Sequence, residues 1–143
     1  MSVRVLVVDD EPRICVLLEQ VLAPLGYRVD VAFDAISALR KLDTAPTTLA
    51  LVDVQLPGDD GIWLIEQMQK RHPNTAIIIV TGVQDLDPRI TLRPGVAAYL
   101  TKPFDPNDLR DLVKSIVSAS RLLPPRRHLR LVPRPATIGG ENQ

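Results

Sequence analysis

Five side chains in this sequence could do chemistry together. Asp9 and Asp10 follow the first apolar run, Asp53 the third, Thr81 the fourth and Lys102 the fifth. Carboxylates, a hydroxyl and an amine can hold a hard cation, attack an electrophile and neutralise the charge that develops. Each alone has an ordinary explanation: an acid after a strand commonly caps a helix, and Thr-Gly is commonly a turn. Caps and turns do not account for all five at strand ends. In open α/β sheets, sites form at the carboxyl ends of strands, near the point where strand order reverses.

The elements that must position these residues are legible as alternating periods. Residues 3–8 are a short β-branched apolar run of the kind buried on both faces of a sheet. Pro12 suits the first turn of a helix, where its missing N–H costs nothing. Ile14, Leu17, Leu18, Val21, Leu22 and Leu25 then recur at helical spacing until Gly26. Residues 27–32 alternate like a strand, and Asp34 is placed to cap a helix whose apolar face is Ile36, Leu39 and Leu42. Residues 49–52 form a third strand ending at Asp53. A turn-rich loop, residues 56–61, leads into a helix carrying Ile62, Leu64, Ile65 and Met68, with Trp63 beside the core positions as a partly buried edge filler. Strands follow at 76–80 and 97–100, and a last helix runs from about 106 to 119. A fourth helix, between about residues 85 and 93, contains or adjoins Pro88 and Pro94. Proline inside a helix costs about 3 kcal/mol, so this helix is predicted to be short or partly unwound. Strict β–α alternation implies a parallel sheet with helices on both faces.

Length and composition suit one globular domain: 143 residues, 45% of them hydrophobic. With aromatics at 3%, Val, Leu, Ile and Ala must fill the core. No apolar run approaches the roughly 18–20 residues needed to span a bilayer, and no signal-peptide cleavage site follows the N-terminal run. The one cysteine, Cys15, cannot form an internal disulfide and is expected to be a quiet, buried thiol. A cytoplasmic protein is expected, with no membrane partner. The net charge of zero conceals an asymmetry: residues 1–120 hold 12 Lys/Arg against 16 Asp/Glu, and residues 121–143 hold five Arg against Glu141. That last stretch, with four of the 13 prolines and no apolar face, reads as a flexible tail or linker after a domain at 1–120. Its arginines lack aromatic interleaving and a helix-turn-helix, so specific nucleic-acid binding by this chain is not expected.

The segments VLVVDDE, LVDVQLPGDDG, IIIVTG and YLTKPF resemble, at matching intervals, the motifs of response-regulator receiver domains over roughly residues 3–119. The resemblance implies a (βα)5 doubly wound, flavodoxin-like fold with a five-stranded parallel sheet in order 2-1-3-4-5. It implies that Asp53 accepts a phosphoryl group from a sensor histidine kinase or phosphotransfer protein. It further implies Mg²⁺ held by Asp10, Asp53 and the backbone carbonyl of Gln55, with Asp9 acting through water and Glu11 solvated at the helix start. A hard, oxygen-seeking dication also answers the mutual repulsion of clustered carboxylates. Lys102 and Thr81 are expected to contact phosphoryl oxygens, with Gly82 leaving the approach open. Tyr99 is expected to turn inward as Thr81 moves, and Pro103 to follow a cis peptide bond.

On this reading the protein is not an enzyme with turnover, but a signalling domain capable of autophosphorylation from small phosphodonors and of self-dephosphorylation. Its output is a downstream protein partner, a missing output domain or a phosphorylation-dependent homodimer. The nearest alternative is the receiver part of a longer DNA-binding transcription regulator. A phosphatase with an aspartyl nucleophile is a different class, but the haloacid-dehalogenase type places D-x-D after the first strand, where this chain has adjacent acids. A flavin-binding domain would need a phosphate-cradling loop there, and Asp-Asp-Glu repels phosphate.

Overall fold

The computed structural model describes residues 3–83, 85–122 and 134–136. Its elements are β1 (Arg4–Val8), α1 (Pro12–Leu22), β2 (Arg28–Ala32), α2 (Ala35–Thr44), β3 (Leu49–Val52), α3 (Asp60–Arg71), β4 (Ala76–Thr81), α4 (Pro88–Thr91), β5 (Val96–Thr101), α5 (Pro106–Leu122) and β6 (Arg134–Ala136). All strands are parallel, in the order β2-β1-β3-β4-β5-β6. The five strands of the 2-1-3-4-5 sheet are therefore present, with a sixth beside them.

Successive side chains of a strand point to opposite faces, and this divides the core in two. Leu6, Val8, Ala50, Val52, Ile77 and Ile79 face Leu39 and Leu42 of α2 and Leu64, Ile65 and Met68 of α3. Val5, Val7, Leu49, Leu51, Ile78 and Val80 face Cys15, Leu18 and Leu22 of α1 and Leu109, Val113 and Val117 of α5. Helices on both sides are what make β1, β3 and β4 nearly continuous apolar runs.

Local signals explain most boundaries. Pro12 begins α1, and Asp34 caps α2 by accepting from Ser37 N at 2.7 Å. Pro88 occupies the start of α4, which extends only four residues to Thr91. The segment after α4 is tied down by side chains: Arg93 donates to Glu66 Oε2 at 3.1 Å, and Gln69 donates to the Pro94 carbonyl at 2.9 Å. Trp63 is partly buried against the α2–α3 side of the core. One expectation is corrected. Ile36 is half exposed and does not belong to the buried face of α2, which Ala35 and Ala38 form with Leu39 and Leu42. Within the stretch expected to be a tail or linker after residue 120, α5 continues through Leu122 and residues 134–136 pair with β5. Residues 123–133 and 137–143 lie outside those described. Among the described residues, no helix is long and apolar enough to cross a membrane.

Candidate functional site

Register decides what meets at the carboxyl edge of the sheet. Val8 pairs with Ala32 and Val52, so β1 and β3 end level, and Asp9 and Asp53 emerge side by side. Val52 pairs with Ile79, so β4 runs two residues further before ending at Thr81. Thr81 in turn pairs with Thr101, which delivers Lys102 to the same edge. The Lys102 N–H donates to the Thr81 carbonyl at 2.8 Å, so the pairing extends to the residue that carries the amine. The Lys102–Pro103 peptide bond is cis.

Lys102 stands at the centre of the polar network. Its Nζ lies 2.8 Å from Asp9 Oδ2, 3.0 Å from Glu11 Oε1 and 3.1 Å from Asp53 Oδ2. Backbone N–H groups hold the other carboxylate oxygens: Glu11 N donates to Asp9 Oδ1 at 2.9 Å, and Gln55 N to Asp53 Oδ1 at 2.8 Å. Asp9 and Asp53 are almost fully buried, whereas Asp10 is exposed. Glu11, expected to be solvated at the helix start, remains largely exposed but pairs with Lys102, because the amine reaches across the acidic edge.

These contacts set the charge states. Burial pushes the Asp9 carboxyl above its ordinary 3.8, and the neighbouring Asp53 charge adds to the rise; hydrogen bonds from Lys102 and the Glu11 N–H oppose this without reversing it. Burial works to lower the Lys102 ammonium, but hydrogen bonds to Asp9, Glu11 and Asp53 outweigh it and hold the group above its ordinary 10.5. The two shifts differ in cause: burial dominates at Asp9, whereas the surrounding carboxylates dominate at Lys102.

The donor set fits a hard dication. Asp9, Asp10 and Asp53 each place a carboxylate oxygen within 4.8 Å of the others. With Glu11 included, four acids face one lysine, and the available donors are all oxygens, the set that Mg²⁺ and Ca²⁺ prefer over the softer metals.

Thr81 is buried, and its hydroxyl is directed to Gln55 Oε1 at 3.4 Å rather than to Asp53. The register explains this: β4 overshoots β3 by two residues, which sets Thr81 level with the segment after Asp53. Gly82 lies beside the same group, for a Cβ there would come 3.2 Å from Gln55 Oε1. The sequence motif points only to the backbone of Gln55, and nothing in the sequence signals where its amide is directed. A second residue of the site is Gly61, the last of the segment LVDVQLPGDDG. A Cβ at this position would fall 2.5 Å from Val54 Cα and 2.6 Å from the Asp53 carbonyl oxygen, so α3 approaches the Asp53 loop as only glycine allows. The glycine itself is visible in the loop sequence; the close approach is not. Tyr99 is partly buried against the α2–α3 side of the core, one strand from Ile79. A cavity of about 490 Å³, lined by Gln55, Leu56, Ile62, Val83, Leu86 and Ile90 among others, opens between the Asp53 loop and the short α4.

Comparison with known proteins gives concordant matches. The family described as "Response regulator receiver domain" matches residues 5–114. The alkaline phosphatase synthesis transcriptional regulatory protein PhoP of Bacillus subtilis is 34% identical over 131 residues, covering 91% of this chain and 55% of PhoP. Sporulation initiation phosphotransferase F of Bacillus subtilis is 33% identical over 115 residues, covering 80% of this chain and 93% of that protein. Among solved structures, a CheY-like response regulator receiver domain protein from Methanospirillum hungatei JF-1 superposes with a TM-score of 0.80 at 33% identity, covering 85% of this chain and 98% of that one. The chain spans about half the length of PhoP and of VanRc of Enterococcus gallinarum.

Proposed function

The chain belongs to the response regulator receiver domain family, and from that premise we propose that Asp53 is its phosphoryl acceptor, served by Lys102, Thr81 and a Mg²⁺ site built on Asp10 and Asp53. The observation that carries the reading is the Lys102 ammonium bonded to both Asp53 and Asp9 beside an oxygen-only cluster. A carboxylate oxygen of Asp53 attacks the phosphorus of a phosphohistidine on a sensor histidine kinase or phosphotransfer protein. The P–N bond breaks, the imidazole leaves with the electron pair and the product is an acyl phosphate. Phosphoryl transfer rests on positioning and charge stabilisation, and the residues supply both. The Gln55 N–H holds one Asp53 oxygen and so fixes the carboxylate plane. Lys102 exchanges its contact with the carboxylate for one with a phosphoryl oxygen. Asp10, Asp53 and the Gln55 carbonyl would hold Mg²⁺, with Asp9 acting through water, and the ion would offset charge on the phosphoryl oxygens.

The Thr81 hydroxyl leaves Gln55 to donate to the phosphoryl group, and Tyr99 turns inward in response. Thr81 and Tyr99 lie on adjacent strands whose register passes through Thr101. The mark ends by hydrolysis, so the domain acts as a timed switch rather than an enzyme with turnover. It works in the cytoplasm, where the kinase domains that phosphorylate such receivers lie.

Incubation with acetyl phosphate and Mg²⁺ followed by intact mass measurement tests the reading. One added phosphoryl mass, absent in Asp53→Asn, is expected; an unchanged mass, or an adduct that survives Asp53→Asn, overturns it. The half-length match to PhoP and VanRc favours a second arrangement, in which a receiver at 1–120 continues through 121–143 as a linker to an output domain. The apparent size of the protein in its source cells separates that arrangement from a stand-alone receiver of the kind that sporulation initiation phosphotransferase F resembles in length.

A further inference from the structure

Strand β5 reads VAAYLT, six residues with no charge and no proline. An uncharged strand of this kind at the edge of a sheet is a template for pairing with another chain, and proteins cover or blunt such edges. Here the cover is β6, which pairs Arg134 with Ala98, Pro135 with Tyr99 and Ala136 with Leu100. Its composition is that of a terminal edge: arginine adds charge, and proline removes an N–H that a further strand would need. The family match stops at residue 114, so β6 lies outside it.

Backbone direction identifies the groups that β6 covers. Lys102 N donates to the Thr81 carbonyl on β4. Because N–H groups alternate along a strand, those of Leu100 and Ala98 also face β4, and those of Tyr99 and Thr101 face β6. Register turns the N–H groups of Arg134 and Ala136 toward β5 and the nitrogen of Pro135 away from it. These are few contacts, and they hold a strand joined to α5 through the 11 residues 123–133.

We propose that the β5 edge is a self-association surface that β6 closes in cis, and that its competing occupant is the β5 of a second copy of this chain. A two-fold arrangement of two β5 strands would be antiparallel and self-complementary, as isologous pairing requires, and would extend two sheets into one. The six-residue uncharged β5 edge is longer than the three-residue strand that covers it. Removal of the cover exposes more pairing capacity than the cover itself uses.

The test compares the full chain with Ala136→Pro, which deletes one β6 donor, by hydrogen exchange and by sedimentation equilibrium at matched concentrations. In the full chain, the Tyr99 and Thr101 amides should be protected and the mass should be that of a monomer. In Ala136→Pro, both amides should exchange faster at low concentration, with the mass rising toward the dimer as concentration increases. Adding Ala97→Lys to Ala136→Pro should restore the monomer, by setting like charges across the two-fold axis. Retained far-ultraviolet circular dichroism and protected Ile78 and Ile79 amides establish that each variant is folded. Three outcomes overturn the proposal: unprotected Tyr99 and Thr101 amides in the parent, a deprotected variant that stays monomeric, or a variant dimer indifferent to Ala97→Lys. None of these readouts requires phosphorylation of Asp53.

Discussion

The Lys102 ammonium rests 3.1 Å from Asp53 Oδ2, an ion pair between residues 49 positions apart in the chain. Both partners are largely buried, and the same ammonium also holds Asp9 and Glu11. The amine therefore stands where charge would accumulate on a group transferred to Asp53.

Lys102→Met should slow phosphorylation of Asp53 on the order of 10²-fold, the scale seen when a preorganised electrostatic contact to developing charge is lost. Time-resolved intact mass with acetyl phosphate gives the rate. The carboxylates hold the ammonium above its ordinary 10.5, so the parent rate should show no fall from lysine deprotonation as pH rises toward that value. A wild-type rate in the variant would remove Lys102 from the mechanism.

Asp9→Asn should raise the thermal midpoint in Mg²⁺-free buffer at neutral pH. The folded-state pKa of Asp9 lies above its ordinary 3.8, so the folded chain binds this proton more tightly than the unfolded chain. At pH values below about 3.8 the carboxyl is neutral in both states and imposes no penalty. As pH rises through the folded value the penalty becomes complete. The gain from Asp9→Asn should therefore grow with pH across that window and shrink when Mg²⁺ is added. Calorimetric scans at several pH values, with and without Mg²⁺, would expose a flat or reversed dependence.

Gly61→Ala should destabilise the fold by about 1–3 kcal/mol, the usual cost of forcing an extra carbon into a packed site. The obstacles are backbone atoms, Val54 Cα and the Asp53 carbonyl oxygen, which cannot rotate away. Urea unfolding measures the loss, and phosphorylation should slow as well because the same displacement moves Asp53. An unaltered midpoint would show that the loop yields freely.

Cys15 should react with thiol reagents only when the protein unfolds. Burial, reinforced by the Asp9 charge, pushes the thiol up to about 11, and its Sγ contacts the Asp9 carbonyl at 3.3 Å. Labelling at pH 8 should follow global unfolding and accelerate in Gly61→Ala. Rapid labelling of the native protein would contradict the buried placement.

Much of the architecture is legible in the sequence because it is written in local periods. The apolar runs of β1, β3 and β4, the helical spacing of α1 and α5, the Asp34 cap and the proline-shortened α4 all arise from neighbours in sequence. Strand alternation then requires a parallel sheet, and the five chemistry-bearing residues stand at strand ends. Ile36 escapes this logic because spacing alone cannot tell a buried helix position from one at the boundary, and the small Ala35 and Ala38 are the buried ones.

What the sequence determined by itself was the inventory at the edge: Asp9, Asp10, Asp53, Thr81 and Lys102, each delivered by the end of a strand. The tertiary structure alone decided how they pair. A two-residue overshoot of β4 turns Thr81 toward Gln55, the reach of Lys102 gathers Glu11, Gly61 admits α3 against the Asp53 loop, and β6 takes the edge of β5. Each of these depends on register or on distance between segments far apart in the chain, and hydropathy periods carry no information about either.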